Sequence, residues 1–173
     1  MTALPLDDAR WHELRDCFGP ADGIPALLRR LRDEPAEAWH DVYTALCHQG
    51  TTYPATYAAV PHAVSFAAGL PPADRLAHLV FVAHVELDRA ARTDLAVPAD
   101  LLAAHDASIE EARRLLPASL FARPWDEAEA RHLLTACAVL LRHPRLGRAI
   151  DGIDDLRCPE CAADLGRSAS DGA

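Results

Sequence analysis

The chain has 173 residues, of which 50% are hydrophobic, and it carries a formal net charge of −9. A chain of this length buries roughly 70% of its unfolded surface as one domain, and it has no charge-free apolar run of about 18 residues that could cross a bilayer. The acidic charge argues against nucleic acid as a partner and favours a basic protein.

All 17 basic residues are arginine, because the chain contains no lysine, and it contains no asparagine either. This composition excludes Schiff-base chemistry, P-loop lysines and a Cys-His-Asn triad. The 5 cysteines are an odd number and are too sparse for a disulfide framework. Residues 1–10 lack the basic start and apolar core of a secretory signal. We therefore expect a cytoplasmic, bacterial protein with reduced thiols.

Helical periodicity dominates the chain, and strand-like alternation is nearly absent. Helices are predicted at about residues 7–18, 22–31, 35–48, 53–68, 72–92, 98–116 and 126–141, and a short turn then reaches Ile153. The segment 72–92 is the most apolar and is expected to lie centrally. Short connections make sequential helices antiparallel. The pattern predicts an all-α domain at 1–153, built as a short α-solenoid of helix pairs or as a closed bundle, and an acidic tail at 154–173.

Two motifs carry a resemblance to a known group. The string LCHQGTTY occupies 46–53 and TYAAVPH occupies 56–62. Together they resemble a group of bacterial HEAT-like helical-repeat proteins, whose members often end in a Cys-Pro-x-Cys segment. The resemblance spans about residues 35–165 and implies a HEAT-like solenoid. Some members of the group are associated with scaffolding or with toxin and immunity settings, but the group has no agreed activity to carry over to this chain. The ending here departs from the group, since Ala162-Ala163-Asp164-Leu165 replaces the glycine and apolar strand expected of a knuckle.

Cys158 and Cys161 frame the sequence Cys-Pro-Glu-Cys, which is half of a zinc site. Cys47 and His48 are the candidates to complete that site. Adjacent helical residues point about 100° apart, so both could bind one ion only if the last helical turn unwinds. The alternatives are a pair of exposed thiols in the tail and, for Cys47, a buried small apolar side chain. A redox dithiol would need a βαβ context that the chain lacks.

A second metal hypothesis rests on two Glu-x-x-His pairs, Glu37 with His40 and Glu129 with His132. Two such pairs on facing helices are part of the di-iron site of ferritin-like bundles. These pairs are weak evidence for a metal site, because both glutamates fall in the first turn of a predicted helix. An acidic side chain there interacts favourably with the helix dipole and needs no further function.

Four polar residues cluster around the predicted turn at residue 50, namely Gln49, Tyr53, Tyr57 and His62. They are candidates to line a groove for a partner or a small ligand. The alternative is that their hydrogen bonds fix the turn itself.

Three functions follow from these patterns. The first is a non-catalytic helical-repeat module that binds a basic protein partner, with a structural zinc. The second is a zinc or di-iron enzyme that acts on a small metabolite. The third is a regulator whose thiol pair responds to metal or oxidant. The residues favour the first, and they specify neither a catalytic residue nor an oligomeric state.

Overall fold

The computed structural model describes residues 2–92 and 94–153, and these residues form an all-α fold, as predicted. The helices are α1 (Ile24–Asp33), α2 (Pro35–Leu46), α3 (Pro54–Gly69), α4 (Leu76–Ala91), α5 (Ala99–Leu120), α6 (Glu127–Leu140) and α7 (Pro144–Asp151). Short 3₁₀ turns lie at Ala9–Glu13, Ala21–Gly23 and Pro72–Asp74. Two antiparallel ribbons complete the fold: β1 (Arg15–Asp16) with β2 (Gly19–Pro20), and β3 (Cys47–His48) with β4 (Thr51–Thr52).

Helices two positions apart in the chain pack side by side. Helix α3 lies against α5, α4 lies against α6, and α1 contacts both α2 and α3. Stacked helical hairpins make contacts of this kind. The solenoid stays a prediction, because a repeat requires a recurring unit and the sequence shows no strict repeat.

Helix α4 lies at the centre, as its apolar character predicted. It contacts α3, α5, α6 and α7, and its Phe81 is fully buried. The Phe81 ring packs 5.7 Å from Trp39 and 6.0 Å from Tyr43, both on α2. Aromatic contacts of this geometry add to the free energy of apolar burial. They join the N-terminal hairpin to the rest of the core.

Two local sequence features fix the C-terminal helices. Asp126 caps α6, since its carboxylate accepts the N–H of Glu129 at 2.8 Å, and the Glu129 carboxylate returns a bond to the Asp126 N–H. The helix was predicted from Asp126 as its start and from its apolar periodicity, and the capping box fixes that start. Gly147 lets α7 pack closely on α6, because a Cβ there would lie 2.3 Å from Cγ2 of Val139.

The predicted first helix is wrong beyond residue 13. A 3₁₀ turn gives way to the β1–β2 ribbon, whose turn is formed by Asp16. Its Oδ1 accepts the N–H groups of Phe18 at 2.7 Å and Gly19 at 3.0 Å. Gly19 has a φ of 137°, which a helix does not allow. Local turn chemistry overrides the apolar periodicity here.

Other boundaries also differ from the prediction: α4 begins at Leu76 rather than at residue 72, and α5 runs to Leu120 rather than to residue 116. Helix α2 ends at Leu46 rather than His48, because Cys47 is extended and starts β3. The segment after His143 forms a helix of 8 residues, α7, where only a short turn was expected. Within residues 2–92 and 94–153, no helix has both the length and the apolar character that spanning a bilayer requires.

Candidate functional site

The β3–β4 hairpin lies at the centre of the motif on which the resemblance rests. Gln49 and Gly50 join its strands with φ values of 50° and 76°. Two consecutive residues with positive φ form the type I′ turn that matches the twist of an antiparallel pair. The turn places the Gln49 side chain at the exposed tip of the hairpin.

A buried carboxylate anchors this hairpin to α4. Oδ2 of Asp88 accepts the Thr52 N–H at 3.1 Å and the Thr52 hydroxyl at 2.5 Å. Arg92 lies 3.5 Å from the same oxygen and donates to the Thr52 carbonyl at 3.3 Å. Asp88 is only 8% exposed. The hairpin is therefore held by charge-assisted hydrogen bonds that water screens little.

The four predicted binding residues lie in different surroundings. Gln49 is exposed, whereas Tyr57 is buried with its ring 4.9 Å from that of His105. Burial raises the pKa of Tyr57. His62 is half-buried and donates from Nε2 to the Leu4 carbonyl at 2.8 Å. Tyr53 is half-buried at the start of α3. Tyr57 and His62 thus hold neighbouring segments of the fold in place.

Cys47 and His48 occupy consecutive positions of β3. The last helical turn does unwind, as a shared ion would require, but it unwinds into a strand, where successive side chains point to opposite faces. Cys47 is buried and is hydrogen-bonded to Tyr43. Burial, with a smaller contribution from Asp88, raises the Cys47 pKa to about 11, although the hydrogen bond between Cys47 and Tyr43 acts in the opposite direction. The thiol is therefore neutral at physiological pH.

The remaining metal hypotheses concern the two cysteines of the tail and the two Glu-x-x-His pairs. Cys158 and Cys161 lie outside the described residues, so their zinc site stays a prediction. Within residues 2–92 and 94–153, no three His, Cys, Asp or Glu side chains are placed to hold a metal ion together. Of the two Glu-x-x-His pairs, Glu37 and His40 are exposed on α2. The Glu129 carboxylate is bound to the Arg123 guanidinium at 2.5 Å.

One line of polar side chains crosses three helices. The Tyr43 hydroxyl on α2 hydrogen-bonds Nδ1 of His84 on α4, and Nε2 of His84 lies 3.2 Å from Oδ1 of Asp151 on α7. Because Asp151 accepts from Nε2–H, Nδ1 is the acceptor of the tyrosine proton. Burial raises the pKa of Tyr43, which keeps the phenol protonated. The line opens on a cleft of about 310 Å³ that Arg148 also borders.

A second cleft, of about 610 Å³, lies between α4, α5 and α6 and is lined by charged groups of both signs. Glu86 accepts a hydrogen bond from Nε2 of the buried His105 at 2.8 Å. Arg89 bridges Glu86 at 3.3 Å and Asp106 at 2.6 Å. Burial raises the pKa of Glu86, but the bond from His105 and the charges of His105 and Arg89 outweigh it and lower the pKa overall. These matched charges cross-link α4 and α5.

A third cleft, which we call the Phe18 groove, is lined mainly by apolar atoms. It has a volume of about 640 Å³ and lies between α1, α2 and the β1–β2 ribbon. Leu27 and Ala45 are among its apolar lining residues, and Arg30 forms an ion pair with Asp41 at its side at 2.7 Å. Phe18 lines the groove at the turn of the ribbon and is 75% exposed.

Sequence reasoning missed the exposure of Phe18, which it placed with the core residues of a first helix. The signal was present, because an Asp three residues before a Gly is typical of a turn that the Asp side chain closes. It also missed the line from Tyr43 to His84 and Asp151. The sequence signal for this line was weaker. A histidine inside an apolar helix needs a polar partner, but the sequence alone does not identify that partner.

In comparisons with protein-family models, with curated proteins and with solved structures, nothing matches this chain.

Proposed function

We propose that this chain is a non-catalytic helical module that binds a basic protein partner through the Phe18 groove. The observation that carries the proposal is the exposed phenyl ring of Phe18, which lies beside an apolar cleft wide enough for one or two side chains. An aromatic anchor next to a pocket is typical of the residues that dominate binding energy at interfaces.

The Phe18 ring is presented on a rigid turn. Asp16 accepts two backbone N–H groups of that turn, at 2.7 and 3.0 Å, and Asp16 itself is 8% exposed. The Cys17 N–H donates to the Ala45 carbonyl at 3.0 Å, which fixes the ribbon to the end of α2. A backbone held in this way loses little conformational entropy when a partner buries Phe18.

Charge favours a basic partner. The chain carries a net charge of −9, and of the charged residues that line the groove, Asp41 is paired with Arg30. Glu37 lies one turn before Asp41 on α2, is exposed, and has no ion-pair partner among the residues that the structure describes. Asp22, next to the lining residue Gly23, is exposed, and its carboxylate lies 2.9 Å from Nδ1 of His12. Complementary charge speeds encounter and selects among partners.

The test is a selection from a displayed library of random peptides on the purified protein. We expect the selected peptides to combine several Lys or Arg residues with one large apolar residue. Their affinity should fall about 10-fold or more for Phe18→Ser, which is the loss of one anchor worth roughly 1.4 kcal/mol or more. The affinity should also weaken steeply as salt is raised.

The matched control is Phe121→Ser. Phe121 is 83% exposed at the end of α5 and does not line the Phe18 groove. Peptides that bind both serine variants equally, or that bind independently of ionic strength, would contradict the proposal. A concentration-dependent dimer that Phe18→Ser abolishes would contradict it too, because the groove would then bind a second copy of the chain.

The HEAT-like solenoid and the structural zinc are parts of the same proposal. The side-by-side packing of α3 with α5 and of α4 with α6 supports the solenoid, and the Cys158–Cys161 spacing supports the zinc. Since the Phe18 groove is built from residues 16–45, peptide binding should survive Cys158→Ser. The metal-dependent enzyme and the thiol regulator stay alternatives, and loss of peptide binding on chelation would favour the regulator.

A further inference from the structure

His78, in the first turn of α4, is buried without a hydrogen-bond partner. Its residue exposure is 1%, and neither Nδ1 nor Nε2 bonds any group in the part of the chain that the structure describes. The edge of the ring faces Trp39, with 4.7 Å between the ring centroids. The imidazole therefore has an aromatic neighbour but no polar one.

Such a group is costly. A neutral imidazole has one N–H donor and one acceptor nitrogen, and each buried polar atom left unpaired loses its hydrogen bonds to water without replacement. Native proteins pair the large majority of these atoms. An imidazole whose two nitrogens are both unpaired indicates that a hydrogen-bonding group from outside residues 2–92 and 94–153 belongs beside it.

There is space for that group. His78 lines a cleft of about 310 Å³ between α1, the start of α2 and the end of α3. Most of its wall is apolar and is formed by Leu31, Pro35, Phe66 and Leu70. Pockets that bind small molecules start at about this volume and combine an apolar wall with a few polar groups.

We propose that this cleft binds a small, uncharged, mainly apolar molecule whose hydroxyl group hydrogen-bonds the imidazole of His78. The hydroxyl fits because it can donate to a bare ring nitrogen or accept from a protonated one. The apolar remainder of the molecule fits the wall of the cleft.

The electrostatics favour a ligand without charge. Burial lowers the pKa of His78 to about 4, so the imidazole is neutral at physiological pH and attracts no anion. The cation at the cleft, Arg32, is held by Asp33 at 2.8 Å. A charged ligand would leave water for an apolar wall without a free counter-charge, which is unfavourable.

Phenol and toluene are a matched pair of probes of similar size, because toluene carries a methyl group where phenol carries its hydroxyl. The experiment is an NMR titration of protein labelled with ¹⁵N in its histidine rings, with the His78 signals identified by their absence from His78→Phe. We expect phenol to shift the His78 ring nitrogens and to bind about 10-fold more tightly than toluene, as one hydrogen bond to a buried acceptor allows.

The variants separate the hydrogen bond from the cleft. His78→Phe should reduce the preference for phenol over toluene to about 1-fold. Gly69→Leu should weaken both probes, since Gly69 lines the cleft and no atom lies within 4 Å of its added Cβ. His12→Phe is the control: His12 is exposed and pairs with Asp22, outside the cleft, so it should leave both affinities unchanged.

Three outcomes would overturn the proposal. The first is equal affinity of the wild-type protein for phenol and toluene. The second is a phenol preference that survives His78→Phe in a variant whose thermal unfolding is cooperative. The third is no shift of the His78 nitrogens up to the solubility limit of phenol, in which case the cleft holds water alone.

Discussion

A single carboxylate oxygen of Asp88 accepts both the backbone N–H and the hydroxyl of Thr52, at 3.1 and 2.5 Å. Asp88 is 8% exposed and lies 36 residues further along the chain. The pair therefore fixes the β3–β4 hairpin to the central helix α4.

Asp88→Ala should destabilise the protein by about 2–4 kcal/mol, because it leaves the Thr52 N–H unpaired and removes the buried partner of Arg92. Urea unfolding measures the change. Asp94→Ala is the matched control, since Asp94 also pairs with Arg92, at 3.6 Å, but is 81% exposed. Its cost should stay below about 1 kcal/mol. Equal losses in the two variants would contradict the role of burial.

Long elements were predictable from the sequence because their signals are repeated along the chain. Helix α6 combines a cap at Asp126 with an apolar stripe of helical period, and both features are present in the structure. The ribbons were missed because strands of 2 residues are too short to show a period. Their signals were single residues, Asp16 and Gly19 in one turn and Gly50 in the other.

The clefts were less predictable, because they depend on residues that only tertiary packing brings together. Tyr43 and His84 are 41 positions apart, and no spacing rule connects them. The sequence predicted a short turn between two helices near residue 50, but not the β3–β4 ribbon that forms it. The surroundings of its members were not predictable, since the burial of Tyr57 depends on His105 of α5.

Gly147→Ala should destabilise the contact between α6 and α7 by about 1–3 kcal/mol. The added Cβ would lie 2.3 Å from Cγ2 of Val139, a β-branched side chain with little freedom to rotate. Thermal unfolding measures the effect. Gly69→Ala is the control, because its Cβ meets no atom within 4 Å. It should leave the stability unchanged or raise it by up to about 1 kcal/mol; a loss as large as that of Gly147→Ala would refute the packing argument.

Cys47 should resist alkylation in the folded protein. Burial raises its pKa to about 11, so at pH 8 its thiolate fraction is roughly 100-fold below that of an ordinary thiol. Mass spectrometry of iodoacetamide-treated protein gives the rate for each cysteine. Cys17, which is half-buried, should react faster. Rapid modification of Cys47 in the folded protein would contradict its burial. If a chelator removed the protection, a bound metal ion rather than burial would be its cause.

The zinc hypothesis predicts that the purified protein contains about one zinc ion per chain and that a Cys158→Ser/Cys161→Ser double variant loses it. Inductively coupled plasma mass spectrometry measures the zinc content per chain. Cys137→Ser is the control, because Cys137 is half-buried on α6, where burial raises its thiol pKa. If Cys47 and His48 complete the site, Cys47→Ser should reduce the zinc content as well. Protein without zinc after expression in zinc-supplemented medium would refute the site.

His78 should make the protein less stable in acid. Burial lowers its pKa from 6.5 to about 4, so between these values the unfolded chain binds a proton that the folded chain does not. Above pH 6.5 the pKa shift of His78 costs the folded protein nothing. As the pH falls from 6.5 towards 4, the shift lowers the free energy of unfolding by roughly 3 kcal/mol in total.

His78→Phe isolates this contribution. The variant should be at least as stable as the wild type at pH 7, because the unpaired nitrogens are gone, and its advantage should grow as the pH falls from 6.5 to 4.5. Urea unfolding at several pH values measures the difference between the two proteins.

His62→Phe is a useful comparison: burial lowers the pKa of His62 as well, although the Leu4 carbonyl opposes the shift. Its removal also breaks the bond to Leu4, so this variant should lose stability at pH 7. A difference between wild type and His78→Phe that is the same at pH 7 and pH 4.5 would show that His78 takes up its proton as readily in the folded protein as in the unfolded chain, and would contradict a pKa lowered by burial beside Trp39.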